Sequence, residues 1–494
     1  MSAPVDQLPW SRLDKRMLLI HPITEVVRLL PVVVLSLVVG SRSGNHLWGV
    51  AVVLLLVAAA MLRWFTTGYR IGTDDVQLRT GLIQKKVLSI PRGRIRSVDV
   101  QAGPLHRILG LSILTVGTGQ LASSRSEKFE LNALDSSLVP ALREELLTRT
   151  EERFAAPQQA IDDEREIAHF QLGWARYAPF TATGIAVVGA GFGLVFQSGV
   201  AESVTNSTVV DDAYRTLVDL GIAAVVAVTV IVLLIVASTI SVARYLLVYG
   251  NLTVTDDGNR LRVGHGLLTT RHTTLDRERL RGALLRRPLV LRWARGARLD
   301  AVMTGVSASE GESSLLLPPA PLTATVRTMT DVLADFPAAN AGTMPLRSHG
   351  PVALRRRLTR TVGPVVTAAI GVAIYASTGR EVPFWVWILL AVATVAAVGL
   401  ALDRYSALGH RALPGVVISE HGSLDRRRVV IDTDGVVAWG VRQSFFQRRA
   451  GVATVTAATA AGSGAYRILD IPVDQVWQMM ETAQPGACDV WLHG

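Results

Sequence analysis

The sequence predicts an α+β membrane protein: six transmembrane helices in three hairpins, each hairpin followed by an antiparallel β-sheet that ends in a helix. Three observations predict it. Apolar stretches long enough to enter a bilayer come in pairs, each pair precedes a basic, strand-patterned segment, and the whole pattern occurs three times in 494 residues. Repetition on this scale decides the architecture before any single residue is interpreted.

Composition leans the same way. Hydrophobic residues make up 49% and charged residues 18%, whereas soluble domains carry about a quarter charged residues. The formal net charge of +10 asks for an acidic counterpart, either nucleic acid or an anionic lipid surface. Cys488 is the one cysteine, so the chain can form neither an internal disulfide nor a thiolate-rich metal cluster. It reads as part of a tail, beside Gly486, Ala487 and Asp489. At the N-terminus, Arg12, Lys15 and Arg16 precede only a short apolar run broken by His21-Pro22. No small-residue cleavage site follows, so the first membrane segment is expected to stay attached.

A membrane span needs about 20 mostly apolar residues. Residues 26–40, 47–65, 178–197, 217–240, 362–378 and 382–402 supply the candidates. The first is the shortest, with Glu25 and Arg28 at its start, and an interfacial lead-in with Arg28 snorkelling would complete it. Orientation follows from the basic flanks. The hairpin tips hold only Arg42, Arg215 and Arg380 of the 50 Lys and Arg residues. Both termini and all three soluble segments are therefore expected on the cytoplasmic face of the plasma membrane.

The domain order that follows is an N-terminal segment with the first hairpin at 1–68, a soluble domain at 69–150 and a linker at 151–168. The second hairpin takes 169–248, its domain 249–336 and a linker 337–361; the third hairpin takes 362–404 and its domain 405–494. In the first domain Val76, Leu78, Val87, Leu88 and Ile90 are apolar positions among polar ones, with Thr73-Asp74-Asp75 and Thr80-Gly81 as turns. Leu138, Leu142, Leu146 and Leu147 then recur at helical spacing behind Ser136 and Ser137 as N-cap candidates. The second domain sets two strands around Asp256-Asp257-Gly258, a hairpin signal, and closes with a helix over 322–333. The third has strands at 416–419, 428–432 and 436–441 and a helix over 473–482.

The three domains can be laid over one another. Gly81-Leu82, Gly266-Leu267 and Gly422-Ser423 each open the second strand of a hairpin, and a second glycine follows at Gly110, Gly296 and Gly451. The third copy lacks the basic residues that the first carries between these glycines. The run Ser89-Ile90-Pro91-Arg92-Gly93-Arg94-Ile95-Arg96-Ser97-Val98, then Leu105-His106-Arg107-Ile108-Leu109-Gly110-Leu111, resembles the bacterial pleckstrin-homology-like (PH) domain found beside membrane hairpins. The larger members of that family carry three hairpin-plus-domain units. The resemblance is strongest in the first copy, weaker in the second and faint in the third. It implies a strongly bent antiparallel sheet, nearly a barrel, capped by a C-terminal helix. It brings no catalytic residues, and it implies a smaller related PH-like membrane protein as a companion.

Two basic groups are the candidate lipid- or partner-binding residues: Lys85, Lys86, Arg92, Arg94, Arg96 and Arg107 in the first copy, and Arg277, Arg279, Arg281, Arg286, Arg287 and Arg292 in the second. Arginine grips phosphate bidentately. The competing reading is general attraction to a negative leaflet, about 1 kcal/mol per basic residue near the surface. Arg355, Arg356, Arg357 and Arg360, ahead of the fifth stretch, fit orientation and lipid contact; Trp10, Trp48, Trp64, Trp174, Trp385 and Trp387 fit interfacial anchors. Asp219 is the exceptional charge inside a candidate span, which disfavours a transporter or channel component. The sequence has no Walker loop, GxSxG elbow, HExxH or paired cysteines. A lipid-modifying enzyme would need a pocket such as one around His169, Asp403 and His410. The arginine-rich copies have few aromatics, which argues against nucleic acid. The expected function is non-enzymatic, without cofactor or metal: binding and scaffolding of anionic lipid headgroups or partner proteins, with a homo-oligomer as one form of assembly.

Overall fold

The computed structural model describes residues 10–12, 14–16, 68–72, 75–80, 86–91, 97–117, 129–139, 165–181, 184, 186, 189, 222–304, 314–338 and 340–489. It is a mixed α+β chain with several antiparallel sheets and three apolar helices long enough to cross a membrane. It divides into two compact units. The first takes the described residues up to His169 together with Leu247–Arg279; the second takes the rest, save a short stretch after Thr304.

The first unit holds two sheets. Strands β1 (Ser11–Arg12), β2 (Gly68–Ile71), β3 (Asp75–Thr80) and β4 (Lys86–Pro91) form one in that order. The other is seven-stranded, in the order β7-β6-β5-β11-β10-β9-β8. Its members are β5 (Ser97–Ala102), β6 (Leu111–Gly117), β7 (Phe129–Asp135), β8 (Arg165–His169), β9 (Thr253–Asp256), β10 (Arg260–His265) and β11 (Thr270–Asp276). Helix α1 (Pro104–Ile108) connects β5 to β6. Period-two apolar positions put Val76, Leu78 and Ile90 of the small sheet against Leu114, Val116, Leu131 and Leu134 of the large one, as the core of the first repeat. Trp10 lies between Arg70 and Arg79, whose guanidinium carbons stand 4.8 and 4.9 Å from its ring.

In the second unit, Leu172–Phe180 is a 3-10 helix with Trp174, Tyr177 and Ala178 buried. The expected third span therefore starts inside a packed segment, and Pro179, which lacks an N–H, suits such a short turn. Trp174 is likewise a core residue here and not an interfacial anchor. Helix α2 (Ile222–Tyr249) follows. Then come β12 (Leu280–Pro288), α3 (Leu289–Trp293), β13 (Gly296–Met303), β14 (Leu315–Pro321) and α4 (Leu322–Val332). Helices α5 (Gly350–Ser377) and α6 (Phe384–Ser406) make a hairpin, and β15 (Gly409–Leu413), β16 (Val416–His421) and β17 (Asp425–Asp432) come after it. Strand β18 (Val436–Arg442), α7 (Phe445–Arg449), β19 (Val452–Thr459), β20 (Ala465–Pro472) and α8 (Val473–Ala483) complete the chain. The sheets run β14-β13-β12-β17-β16-β15 and β18-β19-β20.

Three described helices long and apolar enough to cross a membrane fall at or beside expected spans: α5, α6 and the segment Val230–Tyr249 of α2. The candidates at 26–40 and 47–65 and most of 178–197 lie outside the described residues, as do Asp219 and the first repeat's helix beyond Val139. Val366, Ile370 and Ile374 of α5 and Val392 and Val395 of α6 are exposed apolar side chains. Trp385 and Trp387 are exposed near the start of α6.

The repeat is visible in detail. Helices α4 and α8 each follow a proline, Pro321 and Pro472. Each buries its fourth, seventh, eighth and eleventh residues: Thr325, Thr328, Met329 and Val332 in one, Val476, Met479, Met480 and Ala483 in the other. Cys488 packs with this second set and is a core residue, not part of a loose tail. The conserved left-handed turn after the short helix falls at Gly110, Arg295 and Gly451, with φ of 68°, 60° and 64°. The glycine spacing in the second copy therefore misleads by one residue. Gly296 is glycine for another reason: a Cβ there would stand 2.6 Å from Leu291 Cδ1 and 2.7 Å from Tyr177 Cδ1.

Sheet sharing departs from the expected one-sheet-per-module meander. Strand β5 of the first repeat pairs with β11 of the second, and β12 of the second pairs with β17 of the third. The second repeat is consequently split, three strands in one sheet and three in another.

Helix α5 is tied to the third repeat at its N-terminal end. Asp470, in the left-handed region at φ 57°, accepts from Arg356 at 3.0 Å and Gln447 at 2.9 Å, with Arg357 at 2.9 Å. Beside it, His349 Nδ1 donates to the Leu469 carbonyl at 2.8 Å, leaving its Nε2 to accept from His410 Nδ1 at 2.9 Å. Burial holds both imidazoles neutral; it lowers the His349 pKa and, with the neighbouring His349 and Arg347, pushes His410 down to about 3. The unfolded histidines take up protons near pH 6.5. The pair's contribution is therefore complete above about pH 6.5 and lost as the pH falls toward the folded value. Thermal unfolding of the detergent-solubilised protein should show stability falling between pH 6.5 and 4 by up to about 1.4 kcal/mol per pH unit per histidine. His410→Gln should remove its share of that slope; an unchanged slope would refute the assignment.

Candidate functional site

The seam between β12 and β17 concentrates arginine. Antiparallel register sets Arg287 opposite Arg426, Arg286 opposite Arg427, and Leu285 opposite Arg428. Alternation then puts Arg287, Arg426 and Arg428 on one face and Arg286 and Arg427 on the other. Helix α3 begins immediately after β12 and adds Arg292 to the first group.

Two carboxylates meet these four guanidiniums. Asp403, in the last turn of α6, receives Arg292 Nη2 at 2.9 Å on both oxygens and Arg426 Nη2 at 3.1 Å. Ser423 Oγ donates to it at 2.5 Å. Glu420 of β16 receives Arg428 Nε at 2.6 Å, and Arg426 Nη1 lies 3.8 Å from it. Arg428 is further fixed by the carbonyls of Ala341, Gly342 and Met344. Arg287 makes no ion pair among the described residues. Burial lowers its pKa, Glu420 opposes that, and the neighbouring Arg426, Arg292 and Arg428 lower it further. It stays charged, as arginine does. Three buried donors in this group, Arg287 Nε, Arg292 Nη1 and Arg426 Nε, have no hydrogen-bond partner among the described residues.

Four positive groups against two negative ones leave an excess of about two charges, with donors left over. That is the arrangement an anion with several oxygens would complete. The opposite face is different. Asp300 is buried between Arg298 Nη2 at 2.9 Å and Arg286 Nε at 3.5 Å. Burial raises its pKa against the pull of those two arginines.

The other sequence candidates are placed elsewhere. Arg277 is paired with Asp256, Arg279 with Asp276 at 2.9 Å and Arg281 with Asp432 at 3.1 Å. Arg107 Nη1 donates to the Leu267 carbonyl at 2.8 Å, and Lys86 is exposed on β4. Lys85, Arg92, Arg94 and Arg96 lie outside the described residues. Of the twelve, the structure brings Arg286, Arg287 and Arg292 to one seam. Arg426, Arg428, Glu420 and Ser423 were missed by sequence reasoning. The run Asp425-Arg426-Arg427-Arg428 was the available signal. No group of three or more metal-ligating side chains occurs among the described residues. Asp403 and His410 have separate partners, and His169 pairs with Glu166 at 2.9 Å.

A family model of the bacterial PH domain matches residues 26–150 and 362–484, together half of the chain. The chain belongs to the bacterial PH domain family. Each match opens at the first residue of an expected hairpin and runs through the following domain. The third copy, where the resemblance looked faint, is matched, and the second is not, although its strands keep the same register. No curated protein and no solved structure matches the chain. Membrane-length apolar helices alternating with PH-like domains make this a membrane-associated protein.

Removing a carboxylate from the cluster strands buried cations, whereas removing Arg287 strands nothing. Asp403→Asn should therefore destabilise the protein by about 3 kcal/mol, and Arg287→Gln should stay within about 1 kcal/mol of the parent. Thermal unfolding of the two variants in one detergent checks the contrast.

Proposed function

We propose that this is a non-enzymatic, multi-pass membrane protein whose PH-like domains face the cytoplasm and hold anionic lipid headgroups at the inner leaflet. The observation that carries the reading is the surplus of guanidinium around Arg287 at the end of α6. With 23 residues, that helix is about 35 Å long, enough to span the hydrocarbon core. Its last turn, where Asp403 collects Arg292 and Arg426, then falls at headgroup depth. A phosphodiester there would accept from Arg287 Nε, Arg292 Nη1 and Arg426 Nε, donors of this cluster without a hydrogen-bond partner among the described residues. Charge-assisted bonds to such an oxygen are the strong kind.

The scaffold part of the reading rests on tethering. Domains held directly behind membrane helices meet weak ligands at high local concentration. Asp403 at the end of α6 pairs with Arg426 of the third domain, and Asp470 of that domain pairs with Arg356 near the start of α5, so that domain is held close to the membrane.

The test is lipid retention. The full-length protein, purified into nanodiscs of phosphatidylcholine with one-fifth phosphatidylglycerol, is exchanged into phosphatidylcholine detergent micelles and examined by native mass spectrometry. The parent should retain phosphatidylglycerol. Arg287→Gln should lower retention by about tenfold, the loss of one charge-assisted hydrogen bond. Equal retention by the two proteins, or equal retention of the zwitterionic lipid, would refute the headgroup site.

A further inference from the structure

The two seams between repeats are the same seam. In the first, Ser97 pairs with Leu275, Gln101 with Arg271 and Ala102 with Thr270. In the second, Gly282 pairs with Ile431, Arg286 with Arg427 and Arg287 with Arg426. Advancing the first set by one repeat reproduces the second, residue for residue. The hairpins that supply the receiving strands agree as well: Lys86, Arg271 and Arg427 hold the same position opposite Thr80, His265 and His421. The rule is that the fourth strand of each domain, the one ahead of its short helix, joins the third strand of the next domain.

The rule leaves two ends over. Strand β18 is the fourth strand of the last domain and β4 the third strand of the first domain. Each is the edge of its sheet among the described residues. Their side chains look like uncovered seam residues. Gly440 is exposed where its counterparts Asp99 and Leu284 are buried. Ser89 is exposed where Thr274 and Val430 are buried. Val437 is 79% exposed and Val87 54%. The short helices repeat the contrast. Arg107 of α1 reaches the Leu267 carbonyl in the next domain's turn, and Leu289 and Arg292 of α3 reach Leu424 and Asp403. Arg448 of α7, at the position of Arg107 and Arg292, is exposed and makes no side-chain hydrogen bond among the described residues, beside the exposed Phe445 and Phe446.

We propose that β18 of one chain pairs antiparallel with β4 of a second copy of the same chain. The register is the one the seams dictate: Ala438 with Ile90, Trp439 with Ser89, Gly440 with Leu88, Val441 with Val87 and Arg442 with Lys86. A second copy is the occupant because the chain carries both halves of the joint, one at each end of its domain series. The like-charged pair Arg442 and Lys86 has a precedent in Arg286 opposite Arg427. A joint between different surfaces is heterologous, so the product is a closed ring or an open filament within the membrane plane. Unpaired strand edges with apolar side chains are sites of this kind of addition.

The experiment uses full-length protein in native membranes. Cys488→Ala removes the one cysteine, and two differently tagged chains then carry one new cysteine each. Gly440→Cys is sterically open, since a Cβ there meets nothing nearer than 3.9 Å. Gly440→Cys with Leu88→Cys, and Val441→Cys with Val87→Cys, should give a disulfide between the two tags on mild oxidation. Val437→Cys with Val87→Cys, displaced by four residues or about 13 Å, should not. Mass measurement in nanodiscs should show more than one chain per particle. Several outcomes would overturn the proposal: no inter-tag disulfide at either matched pair, equal yield at the displaced pair, single-chain particles, or a different protein recovered at β18. Measuring phosphatidylglycerol retention by the same cysteine pairs with Arg287 intact separates this from the headgroup reading. Disulfide without lipid retention counts against the headgroup alone, and retention without disulfide counts against the joint alone.

Discussion

Main-chain hydrogen bonding across the repeat boundaries is the constraint on which the remaining structure depends. An antiparallel ladder needs alignment of backbones and makes few demands on side chains. The two seams accordingly keep one register while their side chains differ widely. The first buries an ion pair, Asp99 with Arg271 at 3.0 Å; the second stacks arginines against arginines and balances them with Asp403, Glu420 and Asp300. Divergence between copies is tolerated because the joint is written in the backbone. It also explains why the arginine cluster exists where it does. Only a strand shared between two domains brings Arg287 of one repeat beside Arg426 of the next.

Polar anchors then join the last turns of α2 and α6 to the strand hairpins that follow them. At the end of α2, the Leu247 carbonyl receives the Leu267 amide and the Val248 carbonyl lies 2.8 Å from His265 Nδ1. One repeat later, Asp403 and Ser423 stand at the positions of Leu247 and Leu267 and make a side-chain version of the same contact. The junction has been elaborated by charge without changing its place. Each such anchor joins the last turn of a helix to the strand hairpin that follows it.

Much of this was legible in the sequence, and the reasons for the exceptions are physical. The hairpin around Asp256-Asp257-Gly258 and the helices after Pro321 and Pro472 could be read because turn chemistry and apolar spacing are local signals. The seams could not, since Gln101 with Arg271 and Arg286 with Arg427 share no side-chain pattern. Basic residues were easy to count and hard to assign. Whether an arginine is spent on a carboxylate depends on residues such as Asp432, far from Arg281 in the chain. Cys488 and Trp174 looked peripheral by position, yet tertiary packing buries both. Gly296 aligned by identity, while the backbone placed Arg295 in the left-handed turn and kept Gly296 for close approach to Tyr177.

Splitting the middle repeat between two sheets puts the period of the amino-acid pattern and the period of the folded sheets half a step out of phase. Whole modules can therefore be gained or lost by duplication without altering the grammar of the joints. A chain one module shorter would still offer one donor strand at its far end and one acceptor strand at its near end. Cutting at the pattern's own boundaries, by contrast, would give a fragment with two raw ladders and no intact sheet from its neighbours. For this molecule the gene's natural unit and the fold's natural unit are different objects.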